Sequence, residues 1–175
     1  ETIKVISNFA VGFGNIDLEA ARKRGIAVTN TPEVLSDATA EIGILLILGA
    51  CRRAAEGIEA AKESNWKWSA DYLIGKQLTG SRLGIMGRIG QKIAKIAKSL
   101  GMIIHYHNRS KLNEEKEQGA IYHDSLKSLF SVSDVLSICC PATKETVNLI
   151  NKETVEYFPK GAVITNVARG DIVDD

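Results

Sequence analysis

Long hydrophobic runs are scarce in this sequence of 175 residues. The most apolar stretch, Ile42 to Cys51, is roughly half of what a bilayer-crossing helix requires, so it reads as a buried helix. Neither sign of charge is in excess: 22 Lys and Arg face 21 Asp and Glu, and no global field points to nucleic acid or to an anionic membrane. Cysteine is sparse too. Cys51, Cys139 and Cys140 form no disulfide framework, which suits a reducing compartment and a cytoplasmic location. No Cys-x-x-Cys or His/Cys pair has ligand spacing, so no metal site is expected. No signal peptide is read, since the chain opens on Glu1 and heads directly into a strand-like segment. Repeats and low-complexity tracts are absent. What remains is an ordinary globular composition, 45% hydrophobic and 25% charged, long enough for one domain with a full core or one domain and part of another.

The first thirty or so residues read as a β-α-β unit. "TIKVISNFA" is strand-like, Asp17 can cap the helix "LEAARKR", Gly25 ends it, and "IAVTN" is the next strand. Pro32 then breaks the chain. A long helical pattern runs from Glu33 to about Lys62, apolar all round at its centre, as in a helix buried on most sides between two larger masses. The aromatic connection "SNWKWSADYLIGKQLTG" follows. Strand and helix patterns then alternate: 82–86 and 90–100, 102–107 and near 112–118, Ile121-Tyr122 and "SLKSLF", "DVLSICC" and helix "NKETVEYF", and last "AVITNVA". That alternation predicts an α/β fold, a doubly wound parallel sheet with helices on both faces and ligands at the carboxyl ends of its strands.

The segment 81–101, "SRLGIMGRIGQKIAKIAKSLG", runs from strand through a glycine turn into a helix. A dinucleotide-binding turn reads G-x-G-x-x-G: the first glycine for the bend, the second for backbone approach to the pyrophosphate, the third for helix–strand packing. Gly87, Arg88, Ile89 and Gly90 supply the second and third roles, but Ile85 stands where the first glycine belongs. The helix carries an apolar stripe of Ile93, Ala94, Ile96, Ala97 and Leu100, and Gly101 sits at its C-cap position.

Cofactor choice falls to the next strand. About twenty residues past the glycines an NAD site places an acid on the ribose 2′-hydroxyl. Here stand Asn108, Arg109, Ser110 and Lys111, with no acid. Arg109 can pair with a 2′-phosphate, and Asn108 and Ser110 can hydrogen-bond it, so NADP is expected over NAD; the plain alternative is a solvated basic loop. Cys140-Pro141 and "NVARG" (166–170) close two more strands at the same crevice. The vicinal cysteines read as small apolar residues ending a buried strand rather than a redox pair. His105, His107 and His123 read as packing or surface residues, not as a catalytic base.

With these residues assembled, the chain resembles the D-isomer-specific 2-hydroxyacid dehydrogenases, and within them the glyoxylate/hydroxypyruvate reductases. The matching stretches cover nearly the whole chain in order: 11–41, "MGRIGQKIAKIAKSLGM" (86–102), "HNRS" (107–110), "SDVLSICCPATKET" (133–146) and "NVARGDIVDD" (166–175). The resemblance implies a flavodoxin-like substrate domain and a Rossmann-type nucleotide domain joined by long helices, with the active site in the cleft. On that pattern residues 1–31 are the last β-α-β of the substrate domain, and 32–175 are the interdomain helix and nucleotide-binding domain. It implies hydride transfer from a nicotinamide to the 2-oxo carbon of a small 2-oxo acid. Val11 and Gly12 correspond to the loop whose backbone holds the substrate carboxylate, and Arg169 to the arginine that binds that carboxylate and polarises the 2-oxo group. Cofactor contacts would come from Gly87, Arg88, Ile89, Gly90, Asn108, Arg109, Ser110, Cys140, Pro141, Val167 and Ala168. A homodimer is implied, with a contact around Trp66 and Trp68; neither nucleic acid nor membrane is expected as a partner.

The sequence departs from that pattern in two ways. The family's proton-delivering glutamate and histidine lie downstream of Asp175, and the opening of the substrate domain lies before Glu1, so residues 1–175 alone are expected to show no turnover. The family turn also reads I-x-G-M-G-R-I-G, two residues longer than Ile85-Met86-Gly87 allows. An isoleucine forced into that bend would cost about 1–3 kcal/mol, so the expectation is a pair of missing residues and a chain break between Gly84 and Gly87. Two other functions fit the same motifs: a non-catalytic dinucleotide-sensing module, and an NAD-linked dehydrogenase of the phosphoglycerate type, which Asn108 in place of an acid disfavours.

Overall fold

The computed structural model describes residues 3–87 and 90–174. The chain divides into two compact units, Glu1–Ala38 and Thr39–Asp175. In the first, strands β1 (Val5–Ser7) and β2 (Ala27–Thr29) pair in parallel, Val5 opposite Ala27, and helix α1 (Leu18–Lys23) connects them. Asp17 caps α1 through its carboxylate, which accepts from the Ala20 N–H at 2.9 Å. Gly25 follows in the left-handed region, φ +66°, a conformation that lets the chain turn sharply back into β2.

The long helix expected from Glu33 to Lys62 is two helices, α2 (Ser36–Cys51) and α3 (Ala54–Lys62). Helical periodicity continues across the junction, but a distant segment interrupts it. The Cys51 carbonyl accepts from the Lys76 N–H at 2.7 Å, and Gly75 lies so close that a Cβ there would come within 2.3 Å of that oxygen. Arg53 takes up the break at φ +54°. Nor is α2 covered on most sides. Ala40, Gly43, Ile44, Ile47 and Cys51 are buried, while Ile42, Leu45 and Leu46 stay exposed, Leu45 at 61%.

The second unit is a five-stranded parallel sheet in the order β5-β4-β3-β6-β7. Its strands are β3 (Arg82–Met86), β4 (Ile103–His107), β5 (Ile121–Tyr122), β6 (Val135–Ile138) and β7 (Val163–Asn166). Helices α4 (Gly90–Ser99), α5 (Glu114–Glu117) and α6 (Leu126–Val132) make the connections as far as β6. The stretch read as helix "NKETVEYF" holds one 3-10 turn, Thr154–Tyr157, because Thr154 and the Asn151 carboxamide close it into a local side-chain cap. Alternation on β3 builds two cores. Leu83 and Ile85 join Ile104, Tyr106 and Val135 under α2 and α4; Met86 joins Leu136 and Ile138 under α6, where Leu129 and Phe130 are fully buried.

No break falls between Gly84 and Gly87. Strand β3 is paired residue by residue on both sides through Met86, with Ile85 opposite Tyr106 on β4 and Ser137 on β6. The isoleucine therefore occupies no bend and bears no turn strain. It is a core strand residue, 3% exposed, packed on Gly90, where a Cβ would lie 2.0 Å from its Cγ2.

Candidate functional site

Chain order reverses at β3: β4 and β5 extend the sheet to one side, β6 and β7 to the other. The carboxyl ends of β3 and β6 thus frame the point at which open parallel sheets accept ligands. Gly87 leaves β3 at φ +102°, and an added Cβ would lie 2.6 Å from the Cys139 carbonyl and the Cys140 nitrogen. Only glycine fits this approach of one backbone to another. Three residues on, Gly90 opens the ten-residue helix α4, whose amino end is the positive end of the helix dipole. Arg88 and Ile89, expected in this turn, lie outside the described residues.

Three more strand ends open onto the same edge of the sheet. After β4, Asn108 is half-buried while Arg109 and Ser110 are exposed. Among the described residues Arg109 makes no hydrogen bond or ion pair, and no acid stands in the loop. After β6, Cys139 is buried, Cys140 half-buried and Pro141 exposed. Burial pushes the Cys139 thiol up to about 11 and raises Cys140 as well, so both stay protonated and neither is a ready nucleophile. After β7, Val167 donates to the Ile138 carbonyl at 3.1 Å and Ala168 stays half-buried.

Arg169 follows, exposed, its guanidinium bonded only to the Ala168 carbonyl at 2.9 Å among the described residues. The turn that carries it is held by a residue the motif reading passed over. Asn166 uses both ends of its carboxamide: the oxygen accepts from Ala168 N–H and the nitrogen donates to the Arg169 carbonyl, each at 2.8 Å. Beyond Arg169 the chain is anchored by Ile172, fully buried, which accepts from Ile150 N–H at 3.0 Å.

Val11 and Gly12 belong to the first unit. Two asparagines at strand ends fix their loop: Asn30 Nδ2 donates to the Val11 carbonyl at 2.9 Å and Asn8 Nδ2 to the Gly12 carbonyl at 2.8 Å. With both carbonyls engaged, the consecutive N–H groups of the loop are the groups left to meet an anion. Asparagine closing each of two parallel strands was the available signal.

His105 and His107 sit on the face of β4 that packs under α6, and His123 follows β5. His105 Nδ1 lies 2.9 Å from His123 Nε2, and His123 Nδ1 lies 2.7 Å from Ser128 Oγ. Burial lowers the pKa of both rings, so they are neutral side chains that knit β4, β5 and α6. Among the described residues no group of His, Cys, Asp or Glu could hold a metal ion, and no helix is long and apolar enough to cross a membrane. A groove of about 900 Å³ lies elsewhere, between α3 and the 69–73 loop, lined by Arg53, Ile58, Tyr72 and Leu73. None of the strand-end residues touches it.

A parallel sheet in this order, with a glycine turn leading from its central strand into a helix, defines a doubly wound dinucleotide-binding domain. The profile described as "D-isomer specific 2-hydroxyacid dehydrogenase, NAD binding domain" matches residues 44–175, and the chain belongs to that family. It is similar to the glycerate dehydrogenase of Hyphomicrobium methylovorum, 44% identical over all of this chain and 56% of that protein. The glyoxylate reductase of Aeropyrum pernix is 45% identical over 98% of this chain and 53% of its own length. A crystal structure of a glyoxylate reductase from Paecilomyes thermophila superposes with a TM-score of 0.86 at 36% identity, covering 99% of this chain and 52% of that one. The chain thus spans about half the length of the relatives it matches.

Proposed function

We propose that this protein is an NADP-dependent oxidoreductase that reduces a small 2-oxo acid, glyoxylate, hydroxypyruvate or a close relative, to the D-2-hydroxy acid. Family membership supports the reaction class. The observation that carries the cofactor choice is Arg109, exposed and, among the described residues, unpaired at the end of β4 in a loop without a carboxylate. A guanidinium there matches a 2′-phosphate in charge and in bidentate geometry, and an NAD site would place an acid instead.

The residues at hand fit a bound dinucleotide. Gly87 and the amino end of α4 would take the pyrophosphate, Asn108, Arg109 and Ser110 the 2′-phosphate, and Cys140, Pro141, Val167 and Ala168 the remainder. When bound, the nicotinamide supplies a hydride to the 2-oxo carbon. Arg169 grips the substrate and faces the negative charge that grows on the oxygen; a fixed guanidinium lowers that barrier because it needs no reorganisation. The N–H groups of Val11 and Gly12 bind the substrate carboxylate. Buried His105 and half-buried His123, both neutral, take no part in proton delivery.

The same reading assigns exposed Trp66 and Trp68 to a homodimer contact. Sedimentation of full-length Trp68→Asp should show monomer where the wild type shows dimer; a wild type that sediments as a monomer removes the assignment. The function itself is tested by steady-state kinetics of the full-length protein on a panel of 2-oxo acids. With glyoxylate or hydroxypyruvate, kcat/KM should be about tenfold or more higher with NADPH than with NADH, as one charge-assisted contact of roughly 1.5–3 kcal/mol implies. No turnover of any 2-oxo acid with either cofactor would refute the proposal.

A further inference from the structure

The loop after β4 is pinned by a residue from the core. Tyr106 is 4% exposed, its ring packed with Ile104 and Ile85 in the core under α2 and α4 and tilted against Tyr122 at 5.3 Å. Its hydroxyl nonetheless reaches the carboxyl end of the strand and is used twice. It accepts from the Leu112 N–H at 3.0 Å and donates to Glu117 Oε1 at 2.5 Å. One oxygen thereby ties down both the far end of the 108–111 loop and the short helix α5. Glu117 also has a cation beside it, Lys111 Nζ at 3.7 Å, and Asn113 holds the start of α5 by accepting from Lys116 N–H at 3.1 Å.

The result divides the two cations of the loop. Lys111 is turned back toward Glu117, while Arg109 is left without a partner among the described residues. Burial and the Glu117 hydrogen bond push the Tyr106 phenol up to about 12, so it keeps the proton it donates throughout the physiological range. A core aromatic would need neither contact merely to fill space.

We infer that Tyr106, together with Glu117, is a positioning residue for cofactor selection: its hydroxyl holds the 108–111 loop in the form that presents Asn108, Arg109 and Ser110 to the 2′-phosphate of a bound dinucleotide. This rests on the NADP reading above. A loop ordered before binding loses no conformational entropy when the phosphate arrives, whereas a loose one does. NADH carries no 2′-phosphate, so its binding does not sense that order, and the two cofactors together separate positioning from bulk stability.

The test compares kcat, KM for NADPH and KM for NADH in full-length wild type, Tyr106→Phe and Arg109→Ala. Tyr106→Phe keeps the ring and removes both hydrogen bonds. Its KM for NADPH should rise about three- to tenfold, the range that one or two such bonds support, while KM for NADH and both kcat values stay within about twofold. Retained NADH turnover shows that the variant is folded. Equal losses with both cofactors, including complete silence from a variant that does not fold, would make Tyr106 a packing residue and overturn the inference. If the wild type prefers NADPH and Arg109→Ala abolishes the preference, yet Tyr106→Phe leaves it intact, the inference falls and the NADP reading stands. A wild type indifferent to the two cofactors removes both.

Discussion

The two ends of the five-stranded sheet treat their arginines in opposite ways. At the amino ends of β3 and β6, Arg82 is fully engaged: its Nε and Nη2 donate to the two Asp134 carboxylate oxygens and its backbone N–H donates to one of them, all at 2.9 Å. Asp134 N–H returns a bond to the Arg82 carbonyl at 3.0 Å, and Lys76 Nζ reaches the Asp134 carbonyl at 3.2 Å. At the carboxyl ends of β4 and β7, Arg109 and Arg169 meet no carboxylate among the described residues. The same side chain is structural where its charge is matched and available where it is not. Guanidinium groups left unmatched at the carboxyl ends of parallel strands suit anionic ligands.

The sharpest way to break this contrast is at Arg169. Removing one preorganised donor that meets transition-state charge typically lowers kcat by about 10²–10³. Full-length Arg169→Ala should lose at least that much in kcat/KM for the oxo acid, with KM for NADPH little changed. Arg169→Lys should recover only part, since an ammonium cannot make the bidentate contact. A loss under tenfold in a variant with intact circular dichroism would show that Arg169 is an ordinary surface arginine.

The amino end should answer in stability and not in chemistry. Asp134 is held at a pKa of about 2, chiefly by the Arg82 hydrogen bond. Its pKa is lower in the folded than in the unfolded chain, so its contribution is present above the ordinary carboxylate pKa of about 4 and disappears as pH falls through about 2. The pair is partly exposed, with side chains 38% and 24% accessible, so screening reduces what it contributes. Asp134→Ala should destabilise the protein by roughly 1–3 kcal/mol in a urea melt at pH 7 while the NADPH/NADH ratio stays at the wild-type value. A changed ratio would erase the division between the two ends. Milder acid should act through other groups. His105 and His123 are also depressed, so the unfolded chain takes up protons there that the folded chain refuses, and stability should begin to decline below about pH 6.5. A melting temperature constant from pH 7.5 to 5.5 would contradict that.

How much of this was legible in the sequence depended on the range of the interaction. Strand–helix alternation has a period, so the parallel sheet and the strand-end clustering of Gly87, Asn108 to Ser110, Cys140 and Arg169 could be read directly. The break between α2 and α3 could not, because its cause is the approach of Gly75 and Lys76 from a later segment. Ile85 looked like a damaged turn because a motif counts residues, whereas the sheet simply carries the strand on to Met86 before turning at Gly87. The pins that shape the site were hidden for a related reason. Asn8, Asn30, Asn166 and Tyr106 act through side-chain bonds to backbone groups, which leave no periodic trace. Each was visible only as a polar group at the end of a strand.

The contrast between matched and unmatched arginines is tested most directly by exchanging the Arg109 loop for its opposite. In full-length protein, Asn108→Asp with Arg109→Ala should turn a preference for NADPH into a preference for NADH in kcat/KM for glyoxylate, a net swing of about a hundredfold if each charge change contributes about tenfold. Asn108→Asp alone should lower NADPH use and leave NADH use unharmed, since an acid repels a phosphate but accepts a ribose hydroxyl. A double variant that still prefers NADPH as strongly as the wild type would contradict the account, because the 2′-phosphate would then be held by something other than the unpaired arginine at the end of β4.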